Sequence, residues 1–138
     1  MSKLLQHLSP LQILHYCWKP DIIRSRSVAI EKVFKDGNNG YKFIVRSLQS
    51  DGSFHIHQCR IYTDEPNYIG PLSQCTYIKT SCDCGRWIYT FEVSQAMRNA
   101  ADVIYAEDAL PDVRNPKYKI GVCKHLIVAL KYLIVKKL

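Results

Sequence analysis

What this chain of 138 residues lacks narrows its function before any motif is read. No apolar run approaches the about 20 residues a helix needs to cross a bilayer, and the N-terminus has no compact apolar segment followed by a small-residue cleavage site. The expectation is a protein of the cytoplasm or of a virion, with no membrane partner. Catalytic signatures are missing too: there is no G-x-x-x-x-G-K-[ST] phosphate loop, no G-x-G-x-x-G, no G-x-S-x-G and no H-E-x-x-H, so the chain is not expected to be an enzyme. Acidic residues stop at Asp112. Seven of the 19 Lys and Arg residues (Arg114, Lys117, Lys119, Lys124, Lys131, Lys136 and Lys137) follow Val113, and the other 12 are balanced by the 12 acidic residues of 1–112, so the net charge of +7 belongs entirely to the tail. Internal repeats and low-complexity tracts are absent, and the length suits one domain with a real core.

Cysteine is present in a telling pattern. Of six cysteines, two form Cys82-x-Cys84, and a third stands in Cys123-x-His125 within Gly121-Val-Cys-Lys-His-Leu126. Three disulfides would suit a secreted chain, but the missing export signal and the grouping into C-x-C and C-x-H point to reduced thiols holding a metal. Three thiolates and an imidazole fill a tetrahedral zinc shell, and two ligands one residue apart reach the same ion when the chain between them turns tightly. Gly85 is expected to provide that turn through a left-handed backbone. Cys123 and His125 are expected in the first turn of a helix running through Leu133, where the helix dipole favours thiolate. A thiolate-rich site also accepts an iron–sulfur cluster, though C-x-C with C-x-H favours Zn2+. A catalytic zinc keeps a position for water, and a deaminase-like site needs a glutamate beside its histidine ligand, whereas Lys124 and Leu126 flank His125. Cys17, Cys59 and Cys75 read as small buried hydrophobes.

The rest of the chain predicts an α+β fold. A short amphipathic turn or helix covers residues 1–9; Ser9-Pro10 then starts a helix through Leu11, Ile13, Leu14 and Trp18 that Lys19-Pro20 is expected to stop. Strands are expected over Ser27–Phe34, Tyr41–Leu48, Ser53–Tyr62 and Gln74–Thr80, as an antiparallel meander with turns at 36–40 and Asp51-Gly52. Glu65–Leu72 reads as an ordered loop. Alternation places His55, His57 and Cys59 on one strand face, as a second metal site or as ordinary exposed imidazoles. Trp87–Ala101 has helical spacing; its aromatics Trp87, Tyr89 and Phe91 serve either base stacking or the core. Tyr105–Ile120 reads as an exposed excursion.

The ligand pattern resembles the SWIM zinc finger, C-x-C followed after a spacer by C-x-H, with Cys82, Cys84, Cys123 and His125 on its four ligand positions and a helix beginning where that family completes its ββα unit. The 38-residue spacer, Gly85 to Val122, is longer than most members carry. A looser similarity, through Asn99–Tyr105, Asn115-Pro116 and Gly121–Leu126, is to small structural proteins of tailed bacteriophages. The implied organisation is a single domain over 1–138: an N-terminal helical arm (1–26), an antiparallel sheet (27–81) and a SWIM-like zinc-binding unit (82–138). The implied function is a non-enzymatic adaptor with structural zinc, in which Lys117, Lys119, Lys124, Lys131 and Lys136 meet nucleic acid or an acidic protein surface. The alternative is a subunit of a tailed-phage virion, from its tail, neck or baseplate, held together by the same metal and docked on neighbouring subunits.

Overall fold

The computed structural model describes residues 8–97, 100–102, 115 and 119–138. It is an α+β molecule whose four-stranded antiparallel sheet, in the order β1-β2-β3-β4, carries a C-terminal helix across one face. The strands are β1 (Val28–Lys35), β2 (Gly40–Leu48), β3 (Phe54–Tyr62) and β4 (Lys79–Cys82). Sequential antiparallel pairing makes the expected meander. Its turns use the glycines that the sequence offers there: Gly37 and Gly52 adopt φ of 71° and 86°, a left-handed region open to them because they lack Cβ. Between Ile30 and Lys32 the β1–β2 register shifts by a bulge.

Period-2 geometry sends Phe43, Val45 and Ser47 of β2, and Cys59 and Ile61 of β3, into the core. Onto that face packs α4 (Lys124–Val135), which buries Leu126, Ile127, Ala129, Leu130 and Leu133. Two short helices close the side of this layer, α1 (Pro10–His15) and α2 (Lys19–Arg24). The start of α1 follows the sequence: Ser9 caps the Gln12 amide, and the Gln12 side chain returns to the Ser9 amide as a capping box. Lys19-Pro20, expected to stop a helix, instead begins α2. A proline in the first helical turn removes an N–H that would have had no partner there, so it starts a helix as readily as it ends one.

The last strand is shorter than expected. Leu72–Gln74 forms a 3-10 turn, and pairing to β3 begins only at Lys79. Backbone donors earlier in the segment are committed elsewhere: the Cys75 amide to Leu72 O, the Thr76 amide to the Glu65 carboxylate, and the Ile78 amide to Leu8 O at 2.9 Å. Glu65–Leu72 is an ordered loop, with Asn67 and Gly70 at positive φ and the Tyr68 hydroxyl donating to Pro71 O. Beyond Cys84 the chain is helical from Gly85, with a π-helical turn at Trp87–Phe91 running into α3 (Glu92–Ala96). The expected helix to Ala101 therefore ends at Ala96, and Ala100 instead lies along β4, accepting from the Thr80 amide at 2.8 Å. The helical expectation for 1–7 and most of the 105–120 excursion fall outside the described residues. Asn115, within that excursion, is buried. Its amide group donates to Thr90 O, Ser94 Oγ and Lys119 O, and its carbonyl accepts from the Lys119 amide.

Candidate metal centre

The four residues picked out by the sequence converge. Cys82 ends β4, Cys84 lies two residues on at the start of the helical segment, Cys123 is the N-cap of α4, and His125 sits in its first turn. All four are buried, and their donor atoms lie within 4.8 Å of one another. Zinc bonds of roughly 2.0–2.3 Å place tetrahedral donors roughly 3.3–3.8 Å apart. The 3.8 Å between Cys82 Sγ and His125 Nδ1 is a few tenths of an ångström above the spacing of a sulfur–nitrogen pair. The cluster can hold a metal ion. Among the described residues it is the single group of three or more His, Cys, Asp or Glu side chains gathered this closely.

Local structure explains the convergence. β3 and β4 pair beneath α4, giving two strands and a helix around the ligands. The Trp87 amide donates to Cys84 Sγ at 3.3 Å, a bond the tight turn after Cys84 makes reachable. Gly85 achieves that turn in a helical conformation, not the expected left-handed one: it is absent from the positive-φ residues, and a Cβ there would meet only Tyr89 Cδ2 at 4.0 Å. Arg86 then grips Asp21 of α2 through two hydrogen bonds of 3.0 Å, tying the first ligand pair to the N-terminal helices.

The acid–base state of the thiols fits a cation. Hydrogen bonds from Cys123 and Cys82 hold the Cys84 thiol far below the ordinary range, while burial pushes Cys82 and Cys123 well above it. Burial thus opposes ionisation of Cys82 and Cys123, and a divalent ion would offset that cost. Cys59 faces Cys82 directly across the β3–β4 pair, its Sγ 3.6 Å away, and burial raises its pKa to about 11. It stays a neutral thiol that donates to Cys82 Sγ.

The face shared by His55, His57 and Cys59 does not gather into a second ligand set. His57 donates from Nδ1 to Asp83 Oδ1 at 2.9 Å, and its ring packs against that of His125 with centroids 4.4 Å apart. A carboxylate can only accept, so this contact places the proton on Nδ1 of His57. Sequence reading missed Asp21, Arg86 and Asp83 as supports of the centre. No spacing signal marks them, because each meets its partner only through the tertiary fold.

Lys119, Lys124, Lys131 and Lys136 of the tail line three hollows. Lys124 opens α4 beside the ligands, and Lys131, seven residues on, shares its face two turns later. Lys131 and Lys136 border a shallow apolar depression formed by Ile30, Val128, Tyr132 and Val135. Lys119 lies beside Tyr16 and Trp18, because the segment leading into α4 runs on the α1–α2 side. Lys117 lies outside the described residues. Of the aromatics considered for base stacking, Trp87 and Phe91 are in the core: Trp87 Nε1 donates to the Glu92 carboxylate, and Phe91 makes an edge contact with Trp18. Tyr89 is half exposed. Among the described residues no helix is long and apolar enough to cross a membrane.

These features define a buried Cys3His cluster able to hold a metal ion, at the junction of a small antiparallel sheet and a C-terminal helix. No protein-family model, curated protein or solved structure matches the chain.

Proposed function

We propose that this chain is a non-enzymatic, SWIM-like binding module in which zinc is structural and the basic face of α4 receives nucleic acid or an acidic protein surface. The observation that carries the metal part is the convergence of Cys82, Cys84, Cys123 and His125, all buried, within 4.8 Å. Sulfur and nitrogen donors favour zinc over harder cations, and four protein donors complete a tetrahedral shell, leaving no position for a reacting water. Zinc there closes the long Gly85–Val122 segment and fixes α4 on the sheet. The binding part draws on Lys124 and Lys131 along one helix face, with Lys136 near its end.

Elemental analysis of protein purified under reducing, chelator-free conditions should return one zinc per chain; a metal-free, folded protein would refute the metal assignment, and a coloured protein with iron would replace zinc by a cluster. For the binding part, single-stranded or duplex nucleic acid should be retained on filters at low salt and released steeply as salt rises. Lys131→Gln with Lys136→Gln should flatten that salt dependence. Retention unchanged in the double variant would remove α4 as the binding face.

A second reading, a subunit of a larger assembly such as a tailed-phage virion, is favoured by the outer face of the sheet. Leu48, Phe54 and Ile56 are about half exposed there, with Leu48 and Phe54 directly paired across β2 and β3. An assembly subunit would co-sediment with particles and ignore salt-dependent nucleic-acid capture.

A further inference from the structure

A cavity of about 310 Å³ lies beside the ligand cluster, walled by α2, β2, β3, the turn at Cys84–Arg86 and the start of α4. We propose that it is a phosphate pocket, taking the terminal phosphomonoester of a small molecule or of a nucleic-acid end.

The wall is rich in donors. Arg24 at the end of α2, Arg86 and Lys124 bring three permanent cations to one hollow. Asp21 contributes the opposing carboxylate but is fully buried and engaged by both nitrogens of the Arg86 fork. Among the described residues neither Arg24 nor Lys124 forms an ion pair. Three thiolates with a divalent ion carry a formal charge of −1, so the lining remains net positive with the centre loaded. The N-terminus of the 12-residue α4 opens at the same place, adding the positive end of its dipole.

An independent observation comes from His125. Its Nδ1 faces the sulfurs, while its Nε2 is buried with no hydrogen-bond partner. The inference rests on the metal reading at this point: a histidine that ligates through Nδ1 must carry its proton on Nε2, and such a proton ordinarily meets an acceptor. His125 lines the cavity and is 98% buried, being 2% exposed. Nε2 itself is covered in the present packing, so an oxyanion seated in the cavity supplies the missing acceptor through a small shift of the ring toward the hollow. Phosphate combines the required features: several acceptor oxygens, a charge matched to an arginine and a lysine, and charge-assisted bonds about twice as strong as neutral ones. The cavity is walled by several elements and sits at the low end of the roughly 300–1,000 Å³ of small-ligand sites. Such a hollow admits a projecting end, whereas an internal phosphodiester continues in both directions and fits an open groove.

The test uses the full chain loaded with zinc, with metal content and circular dichroism recorded for every sample. Fluorescence anisotropy compares a labelled single-stranded oligonucleotide ending in a 5′-phosphate with the same oligonucleotide ending in a 5′-hydroxyl. The phosphorylated end should bind about tenfold more tightly, about 1.4 kcal/mol by the usual conversion. Arg24→Gln and Lys124→Gln should each abolish that preference, and Lys35→Gln on distant β1 should keep it. A nucleoside monophosphate that competes as well as the phosphorylated oligonucleotide identifies a small-molecule ligand; weak competition by the mononucleotide identifies a nucleic-acid end. Equal affinity for the two ends, or a preference that survives Arg24→Gln in a folded, zinc-loaded protein, would overturn the pocket while leaving the metal centre intact. Metal-free protein would overturn both.

Discussion

Individual side chains around the centre obey constraints that single substitutions can expose. Gly121 precedes the second ligand pair by two residues, and a Cβ there would sit 2.5 Å from Phe91 Cε1 and 2.8 Å from Trp18 Nε1. Trp18 is held in place by its bond to Ile120 O at 2.9 Å, so the ring cannot retreat without losing it. Gly121→Ala should destabilise by about 1–3 kcal/mol, the usual cost of overpacking. Gly85→Ala is the matched control: helical, with open space around its Cβ, it should be neutral or stabilise by up to about 1 kcal/mol. Urea denaturation of the pair checks both, and equal midpoints would contradict the packing around Gly121. At Cys17, burial pushes the thiol to about 12. Cys75 rises to about 11 for the same reason. A thiol that stays protonated in the fold but ionises near 9 when unfolded contributes fully below pH 9. That contribution is lost as pH rises toward 11–12, because the unfolded chain then binds fewer protons. Stability measured by denaturant titration should fall over that window, and Cys17→Ala should reduce the slope.

Each short element is held by bonds to something distant. The helix α2 has six residues, too few to persist by propensity, and Asp21 on it is fully buried against Arg86 of the first ligand turn. Asp21→Asn would leave the guanidinium without its carboxylate. The expected loss is about 2 kcal/mol, below the roughly 3–5 of wholly buried pairs because the Arg86 side chain keeps 30% exposure. Chemical denaturation measures it, and a loss under about 0.5 kcal/mol, the scale of a surface pair, would show that the contact does not anchor α2. For α4 apolar burial also contributes. Leu130 is wholly buried, and Leu130→Ala should cost about 2–5 kcal/mol through lost contacts and a residual cavity.

At the scale of the molecule, a metal in the Cys/His cluster would connect regions that are far apart in sequence. Cys82 and Cys84 belong to the sheet side and Cys123 and His125 to α4, so a bound ion joins the two layers. Structural zinc supplies on the order of 10–16 kcal/mol in isolated finger peptides, as much as the whole stability of a small domain. Chelation, or Cys123→Ser, should therefore release α4 from the sheet. The readout is a loss of helical circular dichroism together with proteolytic cleavage near the C-terminus, reversed by zinc in the chelated wild type. A chelated protein with an unchanged spectrum and melting temperature would show that apolar packing alone holds α4.

The sequence by itself picked out the residues of the buried Cys/His cluster, the meander and the start of α1, because each is encoded locally: donor types at one-residue spacing, period-2 alternation with Asp-Gly turns, and a Ser-Pro cap followed three residues later by Gln. The two-layer arrangement was also legible, since an apolar run after Cys123 has only the sheet to cover it. Tertiary structure alone decided that Pro20 opens a helix, that Gln74–Ile78 stays unpaired with β3, and that Lys119 comes to lie beside Tyr16 and Trp18. It also decided the Asp21–Arg86 and His57–Asp83 contacts and the cavity they border. The physical reason is common to these cases: backbone donors and charged side chains take the partner that folding brings near, and in a chain of this kind that partner stands tens of residues away, where no local period or spacing can register it.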